Sequence, residues 1–399
     1  MEWTLYGKKY NLDDFLKRHP GGELALRLGQ GRDCTRLFEQ YHVLSEKHIR
    51  TLASFGESVD IGAVDAFYTE LKEELRKLDG IHCTWRMAFV LGAIGLLNLW
   101  AWIGWFQGSW RWCLSVPILS WLFAVNIAHD AAHFAFSGIP AINSIASWFS
   151  SPLFYNTPFW YLQHNISHHV NTNDHSLDID LYHNRNMVRS HHIHKWLPPH
   201  KYQVYTVASL NMMLTSISEN ILYPFEIFIS DKLSKQFFGI KEPVLEHCRF
   251  QLIGQLGLSF FVLLYPFFAF SFLKGIVFAT YPYMMASFIF ITVTQISHIQ
   301  EVTQRRLQGW RHWSHQMVDT ALDYSQDSHV WTFLTGGLNC QGLHHCVPGL
   351  SSSRFVAFYP VYRSLCKKHG LQLHETKGFF EAIRLYWNYI ILLSKDRVE

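Results

Sequence analysis

Four stretches of this chain, residues 87–106, 112–128, 250–273 and 276–297, carry no charged side chain at all. A helix that crosses the hydrocarbon of a bilayer needs about 20 predominantly apolar residues, and these runs meet or approach that length. Pro266 and Pro282 fall inside the third and fourth runs, a position that membrane helices tolerate because neighbouring helices satisfy the freed backbone groups. The alternative, four core helices of a soluble protein, fits poorly with runs that come as two close pairs. A further apolar stretch, 142–162, is interrupted by Pro152 and Pro158 and is rich in serine; it reads as interfacial or half-inserted.

The pairs dictate a topology. The first turn spans about 107–111 and the second is little more than Lys274. Residues 1–9 are polar and mixed, unlike a secretory signal, so a cytosolic N-terminus is expected. Both turns then face the far side of the membrane, and the loop 129–249 and the tail 298–399 are cytosolic. The basic residues agree: Arg76, Lys77, Arg86, Lys232, Lys235, Arg305 and Arg306 fall on the cytosolic side against Arg111 and Lys274 on the other. Residues 1–56 form a polar segment without long apolar runs, and 66–78 within the linker 57–86 reads as an amphipathic helix.

Composition narrows the function classes. Charged residues are 16% of the chain, where about 25% is usual for soluble domains. The net charge of +3 gives a nucleic-acid partner no electrostatic footprint. Seven cysteines without a CxxC pair give neither a disulfide framework nor a zinc ribbon. Histidine, with 24 copies, is the excess, and much of it is grouped. His129 and His133 (HDAAH) follow the second run; His164, His168 and His169 (HNISHH) lie in the loop; His298 follows the fourth run; His344 and His345 (QGLHH) lie in the tail.

All eight fall on the cytosolic side. Residues four apart share a helix face, so His129 and His133 can reach one metal. His164 and His168 repeat that spacing, which leaves His169 pointing elsewhere and available to a second metal. Imidazole suits first-row metals such as iron or zinc. Eight ligands exceed the four of a tetrahedral zinc, so two metals fit the count. His191, His192, His194 and His200 (SHHIHKWLPPH) read instead as a solvated loop.

HDAAH, HNISHH and QGLHH resemble the three histidine boxes of the membrane fatty acid desaturase family. The third box opens with Gln341 rather than histidine, as in front-end desaturases, and 316–350 and HKYQ (200–203) are similar to that subfamily beyond the boxes. Cys346-Val347 stands where Leu-Phe is frequent, a change beside the metal site. In the N-terminal segment, His19-Pro20-Gly21-Gly22 and His42 within YHVLS resemble the haem-binding segments of cytochrome b5.

The resemblance implies a small α+β cytochrome b5-like haem domain over 1–56. An all-α integral membrane desaturase domain over 87–399 would follow, with four transmembrane helices and a cytosolic di-metal cap. It implies haem b with axial ligands His19 and His42. That arrangement leaves the iron no open position and suits electron transfer. Gly21 and Gly22 would let the backbone approach the porphyrin, and Phe15, Leu37 and Phe38 would line it. Two non-haem irons would be bound by the eight box histidines, counting His298, with Gln341 either a ligand or a hydrogen-bonding neighbour. No catalytic side chain beyond the metal centre is implied.

Electrons would come from NADH through a separate cytochrome b5 reductase. With dioxygen, a cis double bond would form between an existing one and the carboxyl end of an acyl lipid or acyl-CoA, at position 5 or 6. The endoplasmic reticulum is the expected membrane. A sphingolipid long-chain-base desaturase and a hydroxylase share the scaffold and stay open. A non-catalytic haem or redox protein conflicts with intact boxes, and a metal transporter with ligands at span ends rather than midway.

Overall fold

Leucine, isoleucine and phenylalanine without interrupting charge give long helices, and the computed structural model has four, Trp85–Phe106, Trp110–Ala132, Arg249–Ala269 and Phe272–Gln295. Residues 2–56, 65–182, 185–230, 242–306 and 309–396 are described; Lys232, Lys235 and linker residues 57–64 lie outside them. Among the described residues these four helices are long and apolar enough to cross a membrane. The hydroxyl of Thr84 accepts from the Met87 N–H and caps the first. That helix is apolar on all sides and little buried, with Phe89 77% and Leu96 72% exposed. Exposing such surface to water costs about 25 cal/mol per Å², and hydrocarbon removes that cost. The chain fits an integral membrane protein.

Two boundaries differ from the sequence-based expectation. The second hairpin turns at Phe270–Ser271 rather than at Lys274, because both residues are extended. Lys274 joins the first turn of the fourth helix, with its ammonium 4.8 Å from the Phe270 ring and 5.2 Å from Phe278, where cation–π attraction stabilises it. The second helix runs on to Ala132, so His129 lies inside its last turns instead of after its end. A π-helical stretch, Ala124–Ala128, delivers it there. Residues 142–162 divide into short helices. Ile142, Ile145 and Phe149 are exposed on one part, and Phe159 to Leu162 are buried.

At the N-terminus, strands Trp3–Leu5 and Lys8–Tyr10 pair antiparallel through Tyr6 (φ 50°) and Gly7 (φ 74°), the left-handed pair that a two-residue hairpin needs. Short helices Glu23–Arg27, Thr35–Tyr41 and Lys47–Ala53 complete this unit. Helix Ala66–Leu75, ending earlier than the expected 78, buries Phe67, Leu71 and Leu75 in one cluster with Phe355, Tyr359 and Tyr362 of the C-terminal part. The N-terminal unit therefore sits docked on the rest of the chain. The Arg32–Glu242 ion pair and an Arg36 Nη1 bond to the Val170 carbonyl at 2.5 Å also hold it.

Residues 298–306 and 309–396 form the cap, with a parallel pair of short strands, Leu322–Tyr324 and His374–Thr376, and helices Phe355–Lys368 and Phe379–Leu393. The last helix overturns the solvated-loop reading of the second histidine patch. His191, His194 and His200 are buried and His192 is half-buried. Each has a local partner. His200 Nε2 bonds the Arg185 carbonyl (2.9 Å), His194 Nε2 the His175 carbonyl (2.9 Å) and His192 Nδ1 the Tyr389 hydroxyl (3.3 Å). They are structural side chains, although Nδ1 of His194 is buried without a hydrogen-bond partner.

Candidate metal centre

The eight box histidines converge between the ends of the second and fourth long helices. Two groups form whose ligand atoms lie within 4.8 Å of one another: His129, His133, His164 and His344; and His168, His298 and His345. HNISHH lies at the end of a π-helix, Tyr161–His168, and this changes the pairing. In a π-helix the i,i+5 positions come together. His164 Nε2 is 3.1 Å from His169 Nε2, while His168 Nε2 turns to His298 Nε2 at 3.2 Å. His164 and His168 still share a face, with their rings stacked at 5.2 Å and both grouped with Asp180, but their Nε2 atoms turn to different partners. His169 lies between the two groups, its ring 4.4 Å from His133 and 4.3 Å from His345.

Gln341 belongs to the second group. Its side-chain amide is 2.8 Å from His298 Nε2 and 3.0 Å from His345 Nε2. A half-turn of that amide would present oxygen to the same point.

The outer edges of the rings are held by partners that the histidine spacing gave no means of finding. His168 Nδ1 is 2.8 Å from Asp178, His164 Nδ1 3.1 Å from Asp180, His345 Nδ1 2.9 Å from Thr172 Oγ1 and His298 Nδ1 3.3 Å from the Thr320 carbonyl. Such contacts fix the tautomer and aim Nε2 at a metal. The only sequence signal was Asp178-Ile179-Asp180, a pair of carboxylates in a chain poor in charge.

Other bonds lace the boxes together. Asn165 Nδ2 donates to the Ala132 carbonyl, and Asp130 accepts from Ser351 Oγ at 2.7 Å. Asp323 accepts from the Gly342 N–H at 2.9 Å and the Tyr359 hydroxyl at 2.6 Å.

Burial, together with neighbouring imidazoles, drives His133, His164, His169, His344 and His345 well below their ordinary pKa, which favours the neutral form that a metal needs as ligand. For His168 burial also acts downward, but the adjacent Asp178 and Asp180 carboxylates outweigh it and raise the value. The chemistry of the donor set fits metals. Both ring nitrogens of His129, Nε2 of His133 and His344, and Oε1 of Gln341 are buried without a hydrogen-bond partner. A buried orphan costs about 1–3 kcal/mol, a cost that bound cations remove. Replacing Asp178 by asparagine should weaken iron binding about 10–100-fold, read as non-haem iron retained per polypeptide during chelator titration.

The N-terminal pair meets a geometric test of its own. The rings of His19 and His42 lie with centroids 6.0 Å apart and planes at 74° to one another. One iron bonded at about 2 Å to each imidazole, with ring centres a little over 1 Å further back, needs about that span. His42 Nδ1 bonds the Phe38 carbonyl at 2.7 Å and His19 Nδ1 the Gly22 carbonyl at 3.2 Å, leaving each Nε2 free. Burial lowers His42 to about 4. A Cβ on Gly21 would stand 2.9 Å from His19 Cε1, so the glycine keeps that ring in place. Phe15 and Phe38 flank the rings, Leu37 is buried in the core, and Phe55 and His48 join the wall unforeseen. His48 stacks on His42 at 4.8 Å.

An apolar cavity of about 260 Å³ borders both metal-binding groups. His129 and His164 of one, and His168, His298 and Gln341 of the other, form its floor. Trp121, Phe154, Tyr155, Trp160 and Phe290 wall it, and Gln163, Asp180 and Glu219 give it one polar side.

Known proteins match along the same lines. The family model for "Fatty acid desaturase" matches residues 107–377, and that for "Cytochrome b5-like Heme/Steroid binding domain" matches 3–77. An acyl-lipid omega-13 desaturase of Chlamydomonas reinhardtii is 30% identical over 98% of this chain and 93% of its own. Acyl-lipid (8-3)-desaturase B of Dictyostelium discoideum is 26% identical over 98% and 90%, and an acyl-lipid (8-3)-desaturase of Mortierella alpina 24% over 98% and 93%. With two buried histidine groups beside an apolar cavity and a cytochrome b5-like domain docked on them, the chain belongs to the fatty acid desaturase family.

Proposed function

We propose that the protein is a front-end acyl-lipid desaturase that places a cis double bond between an existing one and the carboxyl end of a polyunsaturated acyl chain. The observation that carries this reading is the apolar cavity bordered by both histidine groups, because the alkyl carbon to be oxidised must lie beside the metals. No side-chain acid or base removes hydrogens from an unactivated alkyl chain. Two irons held by His129, His133, His164, His168, His169, His298, His344 and His345, with Gln341 in their shell, would supply the dioxygen chemistry. The chain's own residues do the remainder: the aromatic wall binds the acyl segment and excludes water, and Asp178 and Asp180 hold the imidazoles in register.

The division into a haem domain (1–56), a linker (57–86) and a desaturase domain (87–399) is part of the same proposal. So are haem b on His19 and His42, NADH and a cytochrome b5 reductase as the electron source, and placement in the endoplasmic reticulum with both termini cytosolic. The basic-residue asymmetry supports the orientation. Relatives named as acyl-lipid desaturases favour a lipid-bound over a coenzyme A-bound substrate. Among the relatives' names are omega-13 and Delta(5). Another relative is named a 6-desaturase, so positions 5 and 6 both stay in the proposal.

The test is expression in yeast fed di- and tri-unsaturated fatty acids, with new double bonds located by mass spectrometry in wild type and His168→Ala. A new bond on the carboxyl side, present only in wild type, is expected. Altered sphingoid bases with no fatty-acid product would replace this reading with the long-chain-base alternative. No lipid change at all would end it.

A further inference from the structure

The helix Thr35–Tyr41 ends at His42, and its last two residues reach into the metal centre. Gln40 is fully buried, and its Nε2 donates to two carbonyls, those of His169 and His345, each at 3.0 Å. One side chain of the N-terminal unit thereby ties the second and third boxes. Tyr41 lies beside it, with its hydroxyl 2.9 Å from Nδ1 of His133. Every other outer partner found on a box histidine comes from the desaturase part of the chain. This one comes from the haem-binding part, and the residue after it is His42.

We propose that Tyr41 joins the haem to the metal centre: through its contact with His133 it provides the bonded route by which an electron crosses from His42. The proposal rests on the function proposed above. The route has three segments. His42 and Tyr41 share a peptide bond. The Tyr41 ring spans from the backbone to its hydroxyl. The hydroxyl then meets His133, whose Nε2 is buried, without a protein partner, and grouped with His129, His164 and His344.

With Nε2 given to a metal, Nδ1 carries the proton and donates to the Tyr41 oxygen. With haem on His19 and His42 and a metal on the four-histidine group, an electron that passed would leave the haem oxidised by one unit and that metal reduced by one. No covalent bond forms or breaks, and Tyr41 keeps its phenolic proton. The electron's source is a reduced pyridine nucleotide acting through a flavoprotein. Gln40 holds the junction in register, so that the contact is made by a docked domain rather than by a tethered one.

The experiment uses the full-length protein in detergent, with haem reduced anaerobically by NADH and reductase. It is then mixed with oxygenated buffer containing the lipid substrate, and haem reoxidation is followed in the Soret band. Tyr41→Phe is expected to slow reoxidation about tenfold, as other outer-shell changes do, while haem content, non-haem iron and the haem spectrum match wild type. Tyr41→Leu, which also removes the ring, should be slower again.

Reoxidation of Tyr41→Phe at the wild-type rate overturns the proposal. So does a slow Tyr41→Phe that has lost its non-haem iron, since Tyr41 would then only support His133. The underlying function is checked separately: wild-type haem that reoxidises no faster than in His344→Ala would count against desaturation itself, whatever Tyr41 does.

Discussion

His298→Ala is expected to lose product formation to below about 1% of wild type, because an outer-shell partner alone is worth 10–100-fold and a ligand more. His298 is 1% exposed, three residues beyond the end of the fourth long helix. Its Nε2 lies 3.2 Å from His168 Nε2 and 2.8 Å from the Gln341 amide. Removing it leaves the second group with two imidazoles and an amide, too few to hold iron against a chelator. Non-haem iron should fall from about two toward one per polypeptide, and haem should stay at one. Haem is measured by its pyridine complex and total iron by mass spectrometry. Iron that stays at two would remove His298 from the ligand set. The same assay reads Gln341→Leu: iron near two makes Gln341 a hydrogen-bonding neighbour, and iron near one makes it a ligand.

The parts of this molecule that could be read from sequence are those set by local composition. Four uncharged runs became four long helices because burying backbone polar groups in hydrocarbon leaves little choice but helix. The pairing of His19 with His42 was legible because the HPGG turn and the second histidine lie close in the chain, and the structure brings their rings to 6.0 Å. What was misread depended on backbone geometry or distant sequence. The i,i+4 rule put His164 and His168 on one face, and their rings do stack at 5.2 Å, but Tyr161–His168 is π-helical, so the Nε2 partner of His164 is His169 rather than His168. The SHHIHK patch looked solvated because the helix covering it, Phe379–Leu393, lies nearly two hundred residues away. Thr172 and Tyr41 could not be picked out, since nothing in their own neighbourhood marks them as partners of an imidazole, and Asp178 was marked only by the carboxylate pair it forms with Asp180. The docking of the N-terminal unit was equally hidden: a short linker implied a tether, and the structure instead gives Gln40 two carbonyls of the metal centre to hold.

His42→Ala should produce the opposite loss. Its Nδ1 is committed to the Phe38 carbonyl, so Nε2 is the nitrogen that faces His19, and no other side chain of the pair replaces it without moving. Haem per polypeptide is expected to fall to near zero, and NADH-driven product formation to below about 1%, because the remaining iron then has no internal donor. Non-haem iron should remain near two, because none of the residues grouped around the buried orphan nitrogens is altered. His48 offers a check on that expectation. It stacks on His42 at 4.8 Å, and its Nε2 is buried without a partner. Any haem retained by His42→Ala should therefore vanish in His42→Ala combined with His48→Ala. Loss of non-haem iron along with haem in His42→Ala would mean that the two metal sites do not fold independently. The junction at Gln40 and Tyr41 would then be holding the box histidines in place, as well as connecting them to the haem.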